Sequence, residues 1–95
     1  ASKLAKLSLP QDIISNTGEI IKSGHYLISL SISENEILLF EGTKNLYTIN
    51  VSEISLADKF LKISTSEFLS GNSKQGLIIL KQGRYRIKAF VNLAR

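Results

Sequence analysis

The sequence predicts an all-β fold, a single-domain antiparallel sandwich or partly open barrel of about seven strands, spanning residues 1–95. Three observations support this prediction. Two segments alternate apolar and polar residues with the period of two that marks a half-buried strand. Short stretches rich in Gly, Ser and Asn separate the apolar segments, and 95 residues suffice for one modest hydrophobic core.

The two clearest strands each follow a glycine. After Gly24, the predicted core-facing residues are Tyr26, Ile28, Leu30 and Ile32. After Gly83, the corresponding residues are Tyr85, Ile87, Ala89 and Val91. Because successive side chains of a strand point to opposite faces, the intervening positions, mostly serines in the first case and mostly basic residues in the second, face away from the core.

Shorter apolar segments supply the remaining strands. Leu7 and Leu9 alternate with polar residues until Pro10, so the first strand is expected at a sheet edge, where proline is tolerated. Further strands are predicted at 37–41, 46–51 and 77–80. The turns between them are expected at 33–36, 41–45 and 70–76, all short enough for antiparallel connections.

Residues 54–63 allow two interpretations. Ser55 and Asp58 have the spacing of a helix capping box, which favours a short helical turn. The same residues fit an extended segment, with Phe60 and Lys62 on one face and Leu61 on the other. Since so short a helix is marginal on its own, we expect extended or irregular structure with at most one helical turn.

One pattern occurs twice in the chain. IIKSGHYLI at 20–28 and ILKQGRYRI at 79–87 share lysine, glycine, tyrosine and isoleucine in the same register. Glycine suits a turn residue with positive φ, so both patterns predict a hairpin at which the strand reverses. Tyr26 and Tyr85 then begin the returning strands, with the ring over one end of the fold and the hydroxyl at its rim.

The first of these patterns, lying between SLPQDII and ILLFEG, resembles the glycine-then-tyrosine hairpin of small exported bacterial β modules. The resemblance covers about half the chain and concerns the fold, so it implies no catalytic residue. It implies a periplasmic or extracellular protein, and a start at Ala1 without methionine is expected for a processed form. A cytoplasmic protein represented by a fragment is the alternative.

Few residues could support catalysis or bind a metal. The absence of cysteine excludes thiol catalysis, disulfides and cysteine-ligated metals. His25 is the only histidine, and a catalytic triad would need it beside Asp12 or Asp58. The acidic residues Glu34, Glu36 and Glu41 could bind calcium, but exposed acids at a sheet rim give the same pattern. We therefore expect no enzyme, no cofactor and no metal site.

The charge is unevenly distributed. Residues 1–67 contain six lysines and eight acids, whereas residues 68–95 contain six basic residues and no acid. Along the last strand, Arg84, Arg86 and Lys88 alternate with core residues, with Lys81 across the predicted turn and Phe90 continuing the row. These five residues are the predicted basic strip, a candidate site for an anionic polymer or protein partner.

Other roles for the basic strip are structural. It could pair with a strand that carries Glu36, Glu53 or Glu67, or it could be a sheet edge protected by charge, with homo-oligomers formed through that edge. We expect a non-enzymatic binding or structural module of unknown partner; the alternative is a cytosolic nucleic-acid-binding β-barrel. A carrier of small apolar ligands is not expected, since bulky side chains would fill so small an interior. No apolar run approaches the length of a transmembrane helix.

Overall fold

The structure, a computed structural model, describes residues 4–72 and 74–94. Arg95, counted above among the basic residues, and Ser73, inside a predicted turn, therefore lie outside the described residues. The described chain forms eight strands in two four-stranded antiparallel sheets, which confirms the predicted antiparallel sandwich and is not a closed barrel. The strands are β1 (Ala5–Leu9), β2 (Ile13–Ile14), β3 (Ile20–Ile21), β4 (Gly24–Ser31), β5 (Glu36–Glu41), β6 (Lys44–Asn50), β7 (Glu53–Ser70) and β8 (Gln75–Leu93).

The first sheet has the strand order β1-β4-β5-β6 and the second has β3-β2-β8-β7. β1 is an edge strand, as predicted from Pro10. The strand count is eight and not about seven for two reasons. β2 and β3, two residues long each, are too short to show an alternation in the sequence, and the strands predicted at 77–80 and after Gly83 form the single strand β8. The chain builds the first sheet mainly by consecutive pairing and completes the second with the long pair β7 and β8.

The core forms where one face of each strand is apolar. Buried side chains from both sheets make one cluster, whose largest members include Leu7, Ile13, Ile21, Ile28, Ile37, Leu39, Ile49, Ile78, Leu80 and Ile87. The predicted core faces of β4 and β8 are confirmed with one exception. Ile32 is 57% exposed, because β4 ends at Ser31 and the alternation ends with it.

The long strand β8 is strongly bent. Nineteen residues at about 3.3 Å each would extend roughly 60 Å, whereas the longest dimension of the molecule is 37 Å. The bend brings the two ends of the strand together: the Leu93 amide donates to the Lys74 carbonyl at 2.8 Å. One strand therefore runs along the second sheet and returns close to its own start.

The bend lies at Gly83, and the predicted hairpin there is wrong. β8 continues through Gly83, which has φ of +60°, and burial changes phase between Leu80 and Ile87, seven residues apart. A change of phase in a continuous strand requires a β-bulge, and the left-handed glycine is one of the residues that such a bulge uses. The expectation of positive φ was right, but the glycine bends a strand and does not reverse it.

The hairpin predicted at Gly24 is also wrong, although φ is positive, at +149°. Gly24 begins β4 of the first sheet, just after β3 of the second sheet, so the chain crosses between sheets here. Asp12 Oδ1 accepts a hydrogen bond from the Ser23 amide at 2.8 Å, and Tyr26 Oη donates to the Lys22 carbonyl at 2.6 Å. The tyrosine hydroxyl thus has the rim partner that the sequence predicted.

The ambiguous segment 54–63 is extended and belongs to β7. Between the pairs Leu56–Tyr85 and Leu61–Gly83, β7 has four intervening residues and β8 has one. The excess residues of β7 widen the bulge, and a helical turn does not form. Consequently this part of β7 does not follow a regular alternation, which is why its sequence allowed two interpretations.

Replacing Gly83 or Gly24 with alanine should destabilise the fold by about 1 kcal/mol or more, because a Cβ is strained at positive φ. At Gly83 the added Cβ would also lie 3.2 Å from Phe60 Cε2. Urea unfolding of both variants measures the effect. Gly71→Ala is the control, since a Cβ there meets nothing within 4 Å; losses no greater than the control's would refute the strain.

Asp12 should make stability depend on acid. Its pKa is lowered, chiefly because the carboxylate accepts the Ser23 amide hydrogen bond, with nearby Lys22 adding to the effect. Its contribution to the free energy of unfolding is therefore complete above the ordinary carboxyl pKa of about 4 and is lost as pH falls through the lower folded value.

Asp12→Asn should accordingly be less stable than the parent near neutral pH, and the difference should shrink as the pH is lowered to about 3. Unfolding curves at several pH values measure this. Asp58→Asn replaces an exposed aspartate of β7 and is the control. A difference between Asp12→Asn and the parent that stays constant down to acid pH would contradict the assignment.

Candidate functional site

The predicted basic strip lies along β8, on both sides of the bulge. Lys81, Arg84, Lys88 and Phe90 are exposed, whereas Arg86 is half-buried. Lys81 lies on the same strand as the others and not across a turn, since β8 continues through Gly83. Because the bulge shifts the alternation by one residue, Lys81 before it and Arg84 after it both face away from the core.

The two arginines bind the backbone of the bulge. Arg84 Nε donates to the Ala57 carbonyl at 2.9 Å. The Arg86 guanidinium donates to three carbonyls: Gly83 at 2.8 Å, Tyr85 at 2.9 Å and Lys59 at 2.8 Å. A bulge disrupts the ladder and leaves carbonyls without amide partners, and a guanidinium carries five N–H donors that can replace them. Part of the basic strip therefore has a structural role.

The pairing of β8 bears on the structural alternatives for the basic strip. In the strand order β8 lies between β2 and β7, but β2 pairs only with Asn92 and Leu93. Residues 81–88 of β8 are paired with β7 alone, so the interpretation of the strip as a protected sheet edge stays a prediction. The neighbouring β7 carries Glu53, directly opposite Lys88, and Glu67, two residues from the position opposite Lys81. Glu36 lies in the other sheet. Acidic residues of β7 thus partly offset the basic strip, as one alternative expected.

Three of the five strip residues meet in one place. Lys81, Arg86 and Lys88 line a shallow depression of about 380 Å³, together with Glu53. Arg84 lines a separate groove, and Phe90 does not line the depression. The structure therefore divides the predicted strip into separate parts, and carboxylates lie among its cations.

A groove opens between the two sheets beside the bulge. It has a volume of about 450 Å³. Nine of its ten described lining residues belong to β7 and β8, and the tenth, Ile32, directly follows β4 of the other sheet. The groove therefore lies where the end of β4 approaches the bulge. Its lining residues are Ile32, Leu56, Phe60, Leu61, Lys62, Ser64, Gln82, Gly83, Arg84 and Tyr85.

The apolar lining of this groove is largely unburied. Ile32 is 57% exposed, Leu56 62% and Phe60 59%. The Phe60 ring lies against Gly83, where a side chain would displace it. Gln82 Oε1 accepts hydrogen bonds from the Leu30 amide at 3.3 Å and from the Ser29 hydroxyl at 3.5 Å, and so joins β4 to β8 beside the groove. The groove therefore has a defined position in the fold, beside the hydrogen bonds that join β4 to β8.

Sequence reasoning missed this groove. It depends on the unequal pairing of β7 with β8, which is a long-range property. One local signal was present: Leu56, Phe60 and Ile63 are bulky apolar residues in the one segment whose sequence allowed both a helical and an extended interpretation. Ile63 is 71% exposed. An apolar segment that no pattern can bury is a candidate surface for binding.

His25 pairs with a serine. Its Nδ1 lies 2.9 Å from Ser8 Oγ, on adjacent strands and exposed to solvent. Asp12, one of the two aspartates considered for a triad, binds the Ser23 amide and Lys22. Among the hydrogen bonds of the described residues, none joins a carboxylate to this imidazole. The pair therefore lacks the acid that would orient the ring for nucleophilic catalysis.

Neither a cluster of metal ligands nor a membrane-spanning helix is found among the described residues. Within residues 4–72 and 74–94, no three His, Cys, Asp or Glu side chains lie close enough together to hold a metal ion. The described residues also contain no helix of the length and apolarity needed to span a membrane.

Comparison with known proteins gives no matching family model, and neither a curated protein nor a solved structure matches the chain significantly.

Removing the Arg86 guanidinium should destabilise the fold. Arg86→Gln loses the charged donors to three carbonyls, and hydrogen bonds to charged groups contribute about 1.5–3 kcal/mol each to stability at most sites, so a total loss of about 2 kcal/mol is expected after partial rescue by water. Urea denaturation measures it. The matched control is Lys88→Gln, an exposed cation two residues further along β8. Equal losses in the two variants would contradict the structural role of Arg86.

Proposed function

We propose that this chain is a non-enzymatic binding module and that the groove between its sheets binds an apolar group. The observation that carries the proposal is the side-by-side exposure of Ile32, Leu56 and Phe60 around the groove. Small-molecule sites are concave, mainly apolar and about 300–1,000 Å³ in volume. At about 450 Å³ the groove falls in this range.

The groove supports the binding of a small apolar ligand, which the composition of the chain argued against. A filled interior argued against an apolar-ligand carrier, and the largest core side chains are indeed fully buried. The groove, however, lies outside that core, between the end of β4 and the bulge of β7. Ligand binding here needs no cavity in the interior, so a well-packed core and a binding site are compatible in a chain this small.

The nucleic-acid-binding alternative has less support. The Arg86 guanidinium donates to three backbone carbonyls, and Glu53 lies opposite Lys88. A surface that binds single-stranded nucleic acid combines a continuous basic groove with several stacking aromatics, and Phe90 is the aromatic residue of the basic strip. For location we propose the periplasm or the extracellular space, on the resemblance of residues 20–28 to exported bacterial β modules.

A neutral fluorescent probe tests the proposal. Nile red should bind the parent at one equivalent, with a rise in fluorescence, because the dye enters an apolar groove. Leu56→Ser should weaken binding by about tenfold, since burial of a leucine side chain contributes about 1.5–3 kcal/mol. The matched control is Ile20→Ser: Ile20 is 55% exposed and lies in β3, away from the groove.

Thermal melts of each variant establish that the fold is retained. If the two variants bind the dye equally well, the groove is not the site. If the parent itself shows no saturable binding, the binding-module proposal fails.

A further inference from the structure

We propose that the natural ligand of the groove is an amphiphilic carboxylate, a linear apolar chain with one anionic end, of which a medium-chain fatty acid is the simplest example. The inference rests on the proposed function and specifies its ligand class. It is carried by the composition of the groove, in which an apolar surface and two cations occur together.

The first step concerns charge. The described residues that line the groove include Lys62 and Arg84 and no acid. This differs from the depression lined by Lys81, Arg86 and Lys88, where Glu53 accompanies the cations. A carboxylate at the groove would therefore meet attractive charges without a competing acid in the lining. A neutral apolar ligand would leave both cations unused.

The second step concerns the position of the donors. Arg84 Nε donates to the Ala57 carbonyl at 2.9 Å, which holds the guanidinium against the bulge with one of its five N–H donors. Lys62 lies two residues from Phe60 on β7, and both side chains line the groove. The cations thus stand beside the apolar surface of Phe60, as an amphiphile requires.

The third step concerns size. A volume of about 450 Å³ suits a small molecule. A stable protein–protein interface instead buries at least about 1,000 Å² in total, with a well-packed apolar centre. The groove supplies a gap between two sheets and not a broad flat face. We therefore assign it to a small amphiphile, with a second copy of the chain as the occupant to be tested against it.

The experiment compares two ligands that differ only in the head group. Dodecanoate and dodecanol are titrated against bound Nile red, at low salt and below micelle-forming concentrations. The parent should bind dodecanoate up to about fivefold more tightly than dodecanol, because an ion pair with an exposed cation contributes about that factor at most. Lys62→Gln should weaken dodecanoate by a similar factor and leave dodecanol unchanged.

Lys59→Gln is the matched control. Lys59 is an exposed lysine of the same bulge that does not line the groove, and its contact with Arg86 is made by its backbone carbonyl. This variant should bind both ligands as the parent does.

The outcomes separate the two proposals. If dodecanoate and dodecanol bind equally and Lys62→Gln has no effect, the groove is a binding site but the carboxylate inference is wrong. If neither ligand nor Nile red binds, the proposed function fails as well. Sedimentation velocity addresses the remaining occupant: a dimeric parent with a monomeric Leu56→Ser variant would assign the groove to a second copy and overturn the inference.

Discussion

The unequal pairing of β7 with β8 is the constraint on which the rest of the molecule depends. β7 contributes four residues where β8 contributes one, so the ladder cannot close regularly, and carbonyls of the bulge are left for side chains to satisfy. Arg84 and Arg86 supply those donors. Gly83 supplies the left-handed backbone that lets β8 bend. The bend brings Leu93 back to Lys74, and the groove opens beside Gly83 and the bulge.

The bulge gives the basic C-terminal segment a structural role that its charge alone did not indicate. Charge counted along a sequence suggests a surface for anions, yet the half-buried guanidinium of Arg86 binds three backbone carbonyls. Arginine suits this task because its planar group stays charged and presents several donors at once. A lysine ammonium has fewer N–H donors, all on one nitrogen, and the lysines of the strip lie at exposed positions, Lys81 and Lys88. The different roles of arginine and lysine could be inferred from the sequence only once the bulge was known.

The fold was more predictable than the site, for a physical reason. Where one sheet face is buried, alternation is enforced residue by residue, so the core faces of β4 and β8 could be derived from the sequence. Glycine at positive φ was also derivable, but Gly24 crosses between sheets and Gly83 forms a bulge, and both uses need the same local conformation as a turn. The groove depends on register between distant residues, which no local pattern specifies.

The same bulge that costs β7 its regular alternation also keeps the groove from closing. Burial of Ile32, Leu56 and Phe60 would require β4 and β7 to approach each other, and this movement would have to rearrange two sets of hydrogen bonds. Gln82 fixes the spacing of β4 and β8 through the Leu30 amide, and Arg86 fixes the bulge through Lys59. The apolar side chains are thus held apart by hydrogen bonds whose donors and acceptors would be left unpaired by collapse. For the proposed ligand, an opening maintained in this way would already be organised, so binding would not include the free energy of forming the site.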